Sequence, residues 1–269
     1  MSNTLEAINQ DFDEKFHLFF QKPELIQGPL NRRSKEFDLI ITKQFKKLRL
    51  DDEFAIVALG GYGRNELFPG SDIDLSIIQL VKNTSKLEEV GNFIAWLWTL
   101  NVKIGHSVRT IKDIEKITKS DLKEFTSLLS NRIIFCHPDQ KSKLTKVLFG
   151  LSHGWSKSKF YKAKKLEQLQ RFASFDSTEF SLEPDLKESP GCLRDFQTAL
   201  WILEHCFEVK SLMDCAKLNL FNRQYLEGIN LSYCHIKCLR FLLNLNANSN
   251  RISFETVSYT HLTLPTIYS

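Results

Sequence analysis

Two apolar runs bracket a glycine-rich stretch near residue 60. "FAIVAL" occupies 54–59, "GGYGRNELFPGS" follows, and "DIDLSII" occupies 72–78. A short apolar run closed by two glycines reads as a buried strand, and the second run reads as another. Strand side chains alternate, which puts Asp72 and Asp74 on one side and Ile73 and Leu75 on the other. Two carboxylates that close repel, and one stays protonated unless a cation sits between them. Mg²⁺ suits the pair: it takes carboxylate oxygens and keeps positions for triphosphate oxygens. Two such ions would activate an incoming nucleophile and neutralise leaving pyrophosphate. Gly60 and Gly61 then have a use as nucleotide-binding residues, because bare backbone can approach phosphates and offer N–H groups. Residues 63–67 read as the start of a helix, whose N-terminal end favours anions. Arg64 would add a charge-assisted phosphate contact. Ser71 either bonds a phosphate oxygen or caps the turn. The plainer alternative is a glycine turn beside an exposed acidic strand. Two glycines, ten residues and then Asp-apolar-Asp is a more specific pattern, and it favours nucleotidyl transfer with Asp72 and Asp74 as catalytic metal ligands.

The rest of the chain divides in character. Residues 1–50 carry helical periodicity, with a break at 26–29 and an amphipathic helix over 34–48. A helix is expected over 87–100, a strand over 102–109, a helix N-cap at Thr110 and a helix over 121–134. Beyond about residue 140 strand signals vanish. Residues 157–175 form a basic helical stretch whose lysines (157, 159, 162, 164, 165) read as a solvated face. Further helices are expected from about Leu193 and over 222–246. The expectation is an α+β chain. A nucleotidyltransferase domain with N-terminal helices fills 1–140, and an all-helical domain fills 141–256.

The 269 residues carry a formal net charge of +4, with 42% hydrophobic and 25% charged residues, enough for a real core. No stretch shows the dense Lys/Arg clustering that nucleic-acid binding calls for, so no nucleic-acid partner is expected. The first residues are polar and acidic, unlike a signal peptide, and no apolar run approaches a membrane span of roughly 20 residues. A cytoplasmic protein with no membrane partner and reduced thiols is expected. None of the six cysteines sits in a CxxC pair. Cys234, His235 and Cys238 lack a second half-site and fit one helix face better than a metal site. "VSYTHLTLPT" at 257–266 resembles the in-frame translation of a sequencing adapter. On that reading 257–269 is a non-native tail and stands outside the fold argument.

The string "GGYGRNELFPGSDIDL" resembles the DNA polymerase β nucleotidyltransferase superfamily, and most closely its bacterial PII uridylyltransferase branch. "VKIGHSVRT" (102–110), "DLKEFTSLLSNRII" (121–134), "FYKAKKLEQLQRF" (160–172) and "SLEPDLKESPGCLRDFQTALWI" (181–202) are similar to further family segments in the same order. The resemblance implies UMP transfer from UTP to a tyrosine of the PII nitrogen-regulatory protein, with release of pyrophosphate. It also implies a longer chain, with an HD phosphohydrolase domain that removes UMP and two glutamine-sensing ACT domains, so only the transferase half is expected here. Carried over by position, Asp72 and Asp74 hold Mg²⁺, and Gly60 and Gly61 cradle the triphosphate. Many superfamily members place a third carboxylate on a later strand; here 102–109 has Gly105 and His106 instead. Asp121 is either that carboxylate or a helix N-cap, and the cap is favoured. His106 either touches substrate or bonds structurally. Gly191-Cys192 stands where the family reads two glycines, and a positive φ at Cys192 would cost about 1 kcal/mol or more. Arg194 and Asp195 either pair with each other or line the cleft. Two rival readings stay open: a glutamine-synthetase adenylyltransferase-like enzyme, and a truncated fragment that binds nucleotide or PII without turnover.

Overall fold

The computed structural model describes residues 2–151, 154–175, 183–218 and 221–253. The segment read as a non-native tail lies outside them. In chain order the elements are α1 (Ser2–Glu14), α2 (Phe16–Gln21), a 3-10 turn (Pro23–Ile26), α3 (Gln27–Lys47), β1 (Phe54–Ala58), α4 (Gly60–Gly63), β2 (Ile73–Gln79), α5 (Leu87–Trp98), β3 (Ile104–Thr110), α6 (Ile111–Ser120), α7 (Leu122–Leu129), β4 (Arg132–Phe135), α8 (Pro138–Leu151), α9 (Lys157–Ala173), α10 (Leu193–Phe207), a second 3-10 turn (Met213–Leu218) and α11 (Arg223–Ala247). The class is α+β, as expected. The chain packs as two compact units. Among the described residues, the first holds those of 2–12 and Gln27–Phe160, and the second holds Asp13–Ile26 and those from Tyr161 onward.

The first unit is built on a mixed four-stranded sheet of order β3-β2-β1-β4. β1 runs antiparallel to β2 and β4, while β3 runs parallel to β2 after the α5 crossover. Alternation along β1 sorts the core. Phe54, Ile56 and Ala58 join Ile73, Leu75 and Ile77 of β2 under α3 (Phe37, Ile41, Phe45) and α5 (Val90, Phe93, Leu97). Ala55, Val57 and Ile78 face the other way, under Ile114 of α6, Leu128 of α7 and Leu144, Leu148 and Leu151 of α8. Each fully buried Phe in the first layer contributes on the order of 2–3 kcal/mol, and Phe45 meets Phe93 edge-on at 5.3 Å between ring centroids. By packing, α8 belongs to this unit, although most of it lies beyond residue 140.

Three local differences from the sequence reading have simple causes. The break at 26–29 is the 3-10 turn at Pro23–Ile26, and α3 starts at Gln27 with Pro29 in its first turn. A proline is tolerated there because its missing N–H would have no helical partner anyway. The helix expected over 121–134 is the shorter α7; 132–135 is instead β4, paired with β1. Three apolar residues (Ile133, Ile134 and Phe135) continue a helical rhythm as readily as they make a strand, and only pairing separates the two. The helix expected over 63–67 is one turn placed earlier, Gly60–Gly63. Thr110 does cap α6, in a capping box with Asp113.

In the second unit, α11 is capped by Asn222, whose side chain accepts from the Gln224 amide. Lysines 157, 159, 162 and 165 are exposed, but Lys164 is 2% exposed, so the solvated-face reading fails for it. It pairs with Glu167, and its ammonium lies 4.5 Å from the Trp201 ring centroid. Burial lowers the Lys164 pKa against the pull of Glu167. The positive φ in the Gly-Cys pair falls on Gly191 (78°), whereas Cys192 sits at −94° and caps α10 unstrained. Arg194 and Asp195 do not pair with each other. Arg194 grips Glu188 through two hydrogen bonds of 2.8 and 3.2 Å, and Asp195 pairs with Arg171 and accepts from the Gly191 amide at 2.7 Å. The Cys238 thiol is buried against the carbonyls of Phe19 and Pro23, and burial pushes it up to about 12. His235 bonds the Phe20 carbonyl at 3.0 Å. These residues of α11 pack against α2 and the 3-10 turn that follows it, as one face of a helix should.

Candidate active site

β1 ends at Ala58, and the chain leaves the sheet through Leu59 into α4. Gly60 turns it there with φ 56°, a conformation that L side chains rarely adopt. The turn is closed by Gly63 N–H to the Leu59 carbonyl at 2.9 Å and Arg64 N–H to the Gly60 carbonyl at 3.1 Å. It stops because Gly63 presses against the Ser130 carbonyl and Asn65 takes φ 57°. The first amides of a helical turn have no acceptor within it, so Gly60 and Gly61 present N–H groups at its start.

Asp74 lies in β2 between two core residues, Ile73 and Leu75, and therefore on the opposite side from them. Its carbonyl accepts from the Leu59 amide at 2.9 Å, and it stands beside Gly105 in the parallel register with β3. A methyl group on Gly60 would stand 3.3 Å from Asp74 Oδ2; one on Gly105 would stand 2.5 Å from Oδ1. The half-buried carboxylate thus lies in a slot between two glycine backbones. Asp72 is the residue before β2 and is exposed. Ser71 follows Gly70, and its amide donates to the Phe68 carbonyl at 3.1 Å. Arg64 is engaged: Nε donates to Glu66 Oε2 at 2.8 Å and Nη1 to Ser130 Oγ at 3.2 Å. A methyl group on Gly61 would stand 3.9 Å from Arg64 Nη2. So Gly60, Gly61, Arg64 and Asp74 come together, with Ser71 and Asp72 next to them along the chain.

A set of side chains unmarked by any motif holds this turn in place. Tyr62 is buried, and its hydroxyl donates to Asp38 Oδ1 of α3 at 2.6 Å. Arg132 of β4 donates to both Asp38 oxygens at 2.6 and 3.2 Å and to the Tyr62 carbonyl at 3.2 Å. Burial first, and then the Asp38 charge, raise the Tyr62 pKa well above its ordinary value, so the phenol stays a donor. Arg33 of α3, 6% exposed, donates to the Leu67 carbonyl at 3.2 Å, and burial lowers its pKa to about 10. One signal for Gly105 was present in the sequence: a lone glycine in a strand marks a close approach. Tyr62, Asp38 and Arg132 had no such signal, because their partners lie far away in sequence.

Two residues left open are now placed. Asp121 accepts from the amides of Lys123 and Glu124 at 2.7 and 3.1 Å, and so caps α7. His106 meets Trp98 edge-on at 5.9 Å, and its strand neighbour Gly105 is the residue that faces Asp74. Among the described residues no cluster of three or more His, Cys, Asp or Glu side chains is arranged to hold a metal. The Asp74 carboxylate offers oxygen donors in a slot that glycines at 60 and 105 leave open, and Asp72 and Ser71 next to it along the chain carry oxygen donors too. That set fits a hard divalent cation that takes its remaining oxygens from phosphate and water.

Residues 159–258 match the family model described as GlnD PII-uridylyltransferase. The chain is 35% identical over 242 residues to a bifunctional uridylyltransferase/uridylyl-removing enzyme of Hydrogenovibrio crunogenus, a match that covers 88% of the chain and 27% of that relative. Relatives of the same name from Pseudoalteromonas translucida (33% identical; 89% of the chain, 28% of the relative) and Idiomarina loihiensis (37%; 84% and 26%) are similar to it. The chain spans about a quarter of the length of these relatives. No helix of the described residues is long and apolar enough to cross a membrane.

Proposed function

The chain belongs to the PII-uridylyltransferase family, and from that premise we propose that the turn at Gly60 and the aspartates at the head of β2 are the nucleotidyl-transfer site of such an enzyme's transferase part. The reaction is UMP transfer from UTP to a tyrosine hydroxyl of a PII signalling protein. The tyrosine oxygen bonds to the α-phosphorus, the bond to the β-phosphate oxygen breaks, pyrophosphate leaves and the phenolic proton is released. The observation that carries the reading is the placement of Gly60 against the Asp74 carboxylate, with Gly61 next to it facing the Arg64 guanidinium.

Asp72 and Asp74 would hold Mg²⁺, which when bound supplies positive charge to the reacting phosphates. The amides of Gly60 and Gly61 would meet phosphate oxygens, with no side chain between backbone and ligand. Arg64, fixed by Glu66 and Ser130, places a guanidinium edge beside Gly61, where it would oppose phosphate charge. The Ser71 hydroxyl would accept or donate at the phosphate chain. The uridine preference and the PII acceptor rest on the family alone; a cytoplasmic setting follows from such a partner.

The test is transfer itself. The chain is incubated with a PII protein, Mg²⁺ and labelled UTP or labelled ATP. Label from UTP on PII is expected, and Asp72→Asn and Asp74→Asn should each lower it by at least about 1000-fold with circular dichroism unchanged. Label from ATP alone would give the site to the adenylyltransferase reading. Nucleotide bound without transfer would make the chain a binding module. Near-normal transfer by either aspartate variant would remove the metal assignment.

A further inference from the structure

We infer that Gly105 of β3 is a positioning residue for Asp74: position 105 must lack a side chain so that the Asp74 carboxylate can face a divalent cation. The inference rests on the proposed role of Asp74. The parallel register sets Asp74 beside Gly105, and this pairing is held from Ile73–Ile104 to Gln79–Thr110 along the two strands. A Cβ at 105 would stand 2.5 Å from Oδ1 and 3.7 Å from Cγ of Asp74, and the first distance is closer than carbon and oxygen can approach. On the other flank Gly60 has no side chain either; a Cβ there would stand 3.3 Å from Oδ2. Because Oδ1 is the far end of a rotatable side chain, a methyl group at 105 is relieved by turning the carboxylate out of the orientation it holds between the two glycines.

Backbone strain does not explain the glycine, since Gly105 does not lie in the left-handed region. Strand pairing does not explain it either, because an interior strand position is better filled by almost any other residue than by glycine. The row continues with Ser76 beside Ser107, whose hydroxyls meet at 3.3 Å, so the face beside Asp74 carries a polar row across the two strands. Space for the carboxylate is what remains.

The test uses the 269-residue chain with Mn²⁺ as the probe, titrated against free Mn²⁺ by electron paramagnetic resonance. Thermal denaturation follows each variant in metal-free buffer. Gly105→Ala is expected to weaken Mn²⁺ binding by about 10-fold or more, as loss of a metal ligand's support generally does. Gly91→Ala, at a glycine with open space around it, should bind as the wild type does. The double variant Asp74→Ala/Gly105→Ala should melt like Asp74→Ala alone, because the carboxylate that the added methyl group would strike is gone. Wild-type Mn²⁺ affinity in Gly105→Ala overturns the inference. If Gly105→Ala does not fold, the double variant decides: recovery of the fold supports the inference, and failure overturns it. Should Asp74→Asn itself bind Mn²⁺ normally, the metal reading of Asp74 falls; loss in Asp74→Asn without loss in Gly105→Ala removes only the role of Gly105.

Discussion

Gly63 has no room for a side chain. A Cβ there would lie 1.8 Å from the Ser130 carbonyl oxygen and 3.0 Å from that of Ala58, both of them backbone atoms. Neither can move without shifting the residue that leads into β4 or the strand β1. Gly63→Ala should therefore destabilise the chain by about 3 kcal/mol or more, read by urea denaturation. A loss below about 1 kcal/mol would show that the contact relaxes. The sequence showed Gly63 only as one glycine among several in "GGYGRNELFPG". Its neighbours Gly60 and Gly61 stood out in the sequence as two glycines closing an apolar run, whereas the need at Gly63 comes from Ser130, 67 positions later. The place of Asp74 opposite Ile73 and Leu75 was legible because period two is a property of the strand alone, whereas β2 begins only at Ile73 and leaves Asp72 outside it.

At the scale of elements, α4 is a single turn of helix and contributes little stability of its own. It is held from outside by α3 and β4 through Asp38, Tyr62 and Arg132. Tyr62→Phe removes one hydrogen bond to a charged group while keeping the ring packed, and should cost about 1.5–3 kcal/mol in thermal or urea denaturation. If the turn is also the nucleotide loop, the same variant should raise the KM for UTP more than it lowers kcat. Unchanged stability would mean that Arg132 alone satisfies Asp38. The sequence predicted the amphipathic helix that became α3 and said nothing of this second duty. Asp38 lies off the apolar stripe and looks like any solvated acidic residue until Tyr62 and Arg132 are placed on it. β4 was hidden for the related reason that "RIIF" becomes a strand only by pairing with β1.

For the whole molecule, both units join apolar packing to ion pairs. In the first, two apolar layers flank a sheet and Arg132 pairs with Asp38. In the second, an apolar cluster around Val209, Cys215 and Leu226 is joined by the pairs Arg194 with Glu188, Arg171 with Asp195 and Lys164 with Glu167. Burial pushes the Glu188 carboxyl up, but its bonds to Arg194 and the charge of that guanidinium outweigh this and hold it below its ordinary value of 4.5. A carboxyl with a depressed folded pKa adds stability above the unfolded value and loses it as pH falls through the folded one. Arg194→Gln should thus be less stable than the wild type at pH 7, and the gap should narrow as pH drops below the ordinary 4.5 of Glu188, in urea titrations followed by circular dichroism. A gap that does not change with pH would assign the role of Arg194 to its packing near Trp201.

What the sequence determined by itself is what depends on near neighbours: the apolar runs of β1 and β2, the amphipathic stripes of the long helices, the caps at Thr110 and Asp121, and the spacing of Gly60 and Gly61 from Asp72 and Asp74. Those features follow from backbone periodicity and local hydrogen bonding, which act over a few residues. Only the tertiary structure decided that Arg64 is tied to Glu66, that Lys164 is buried, that Tyr62 is anchored to α3 and that Gly105 faces Asp74. Three of these four are settled by long-range pairing or packing, and the fourth, the link from Arg64 to Glu66, by the turn that folds one beside the other. A period-two or period-3.6 pattern shows which way a residue points, and only the folded chain shows what it meets there.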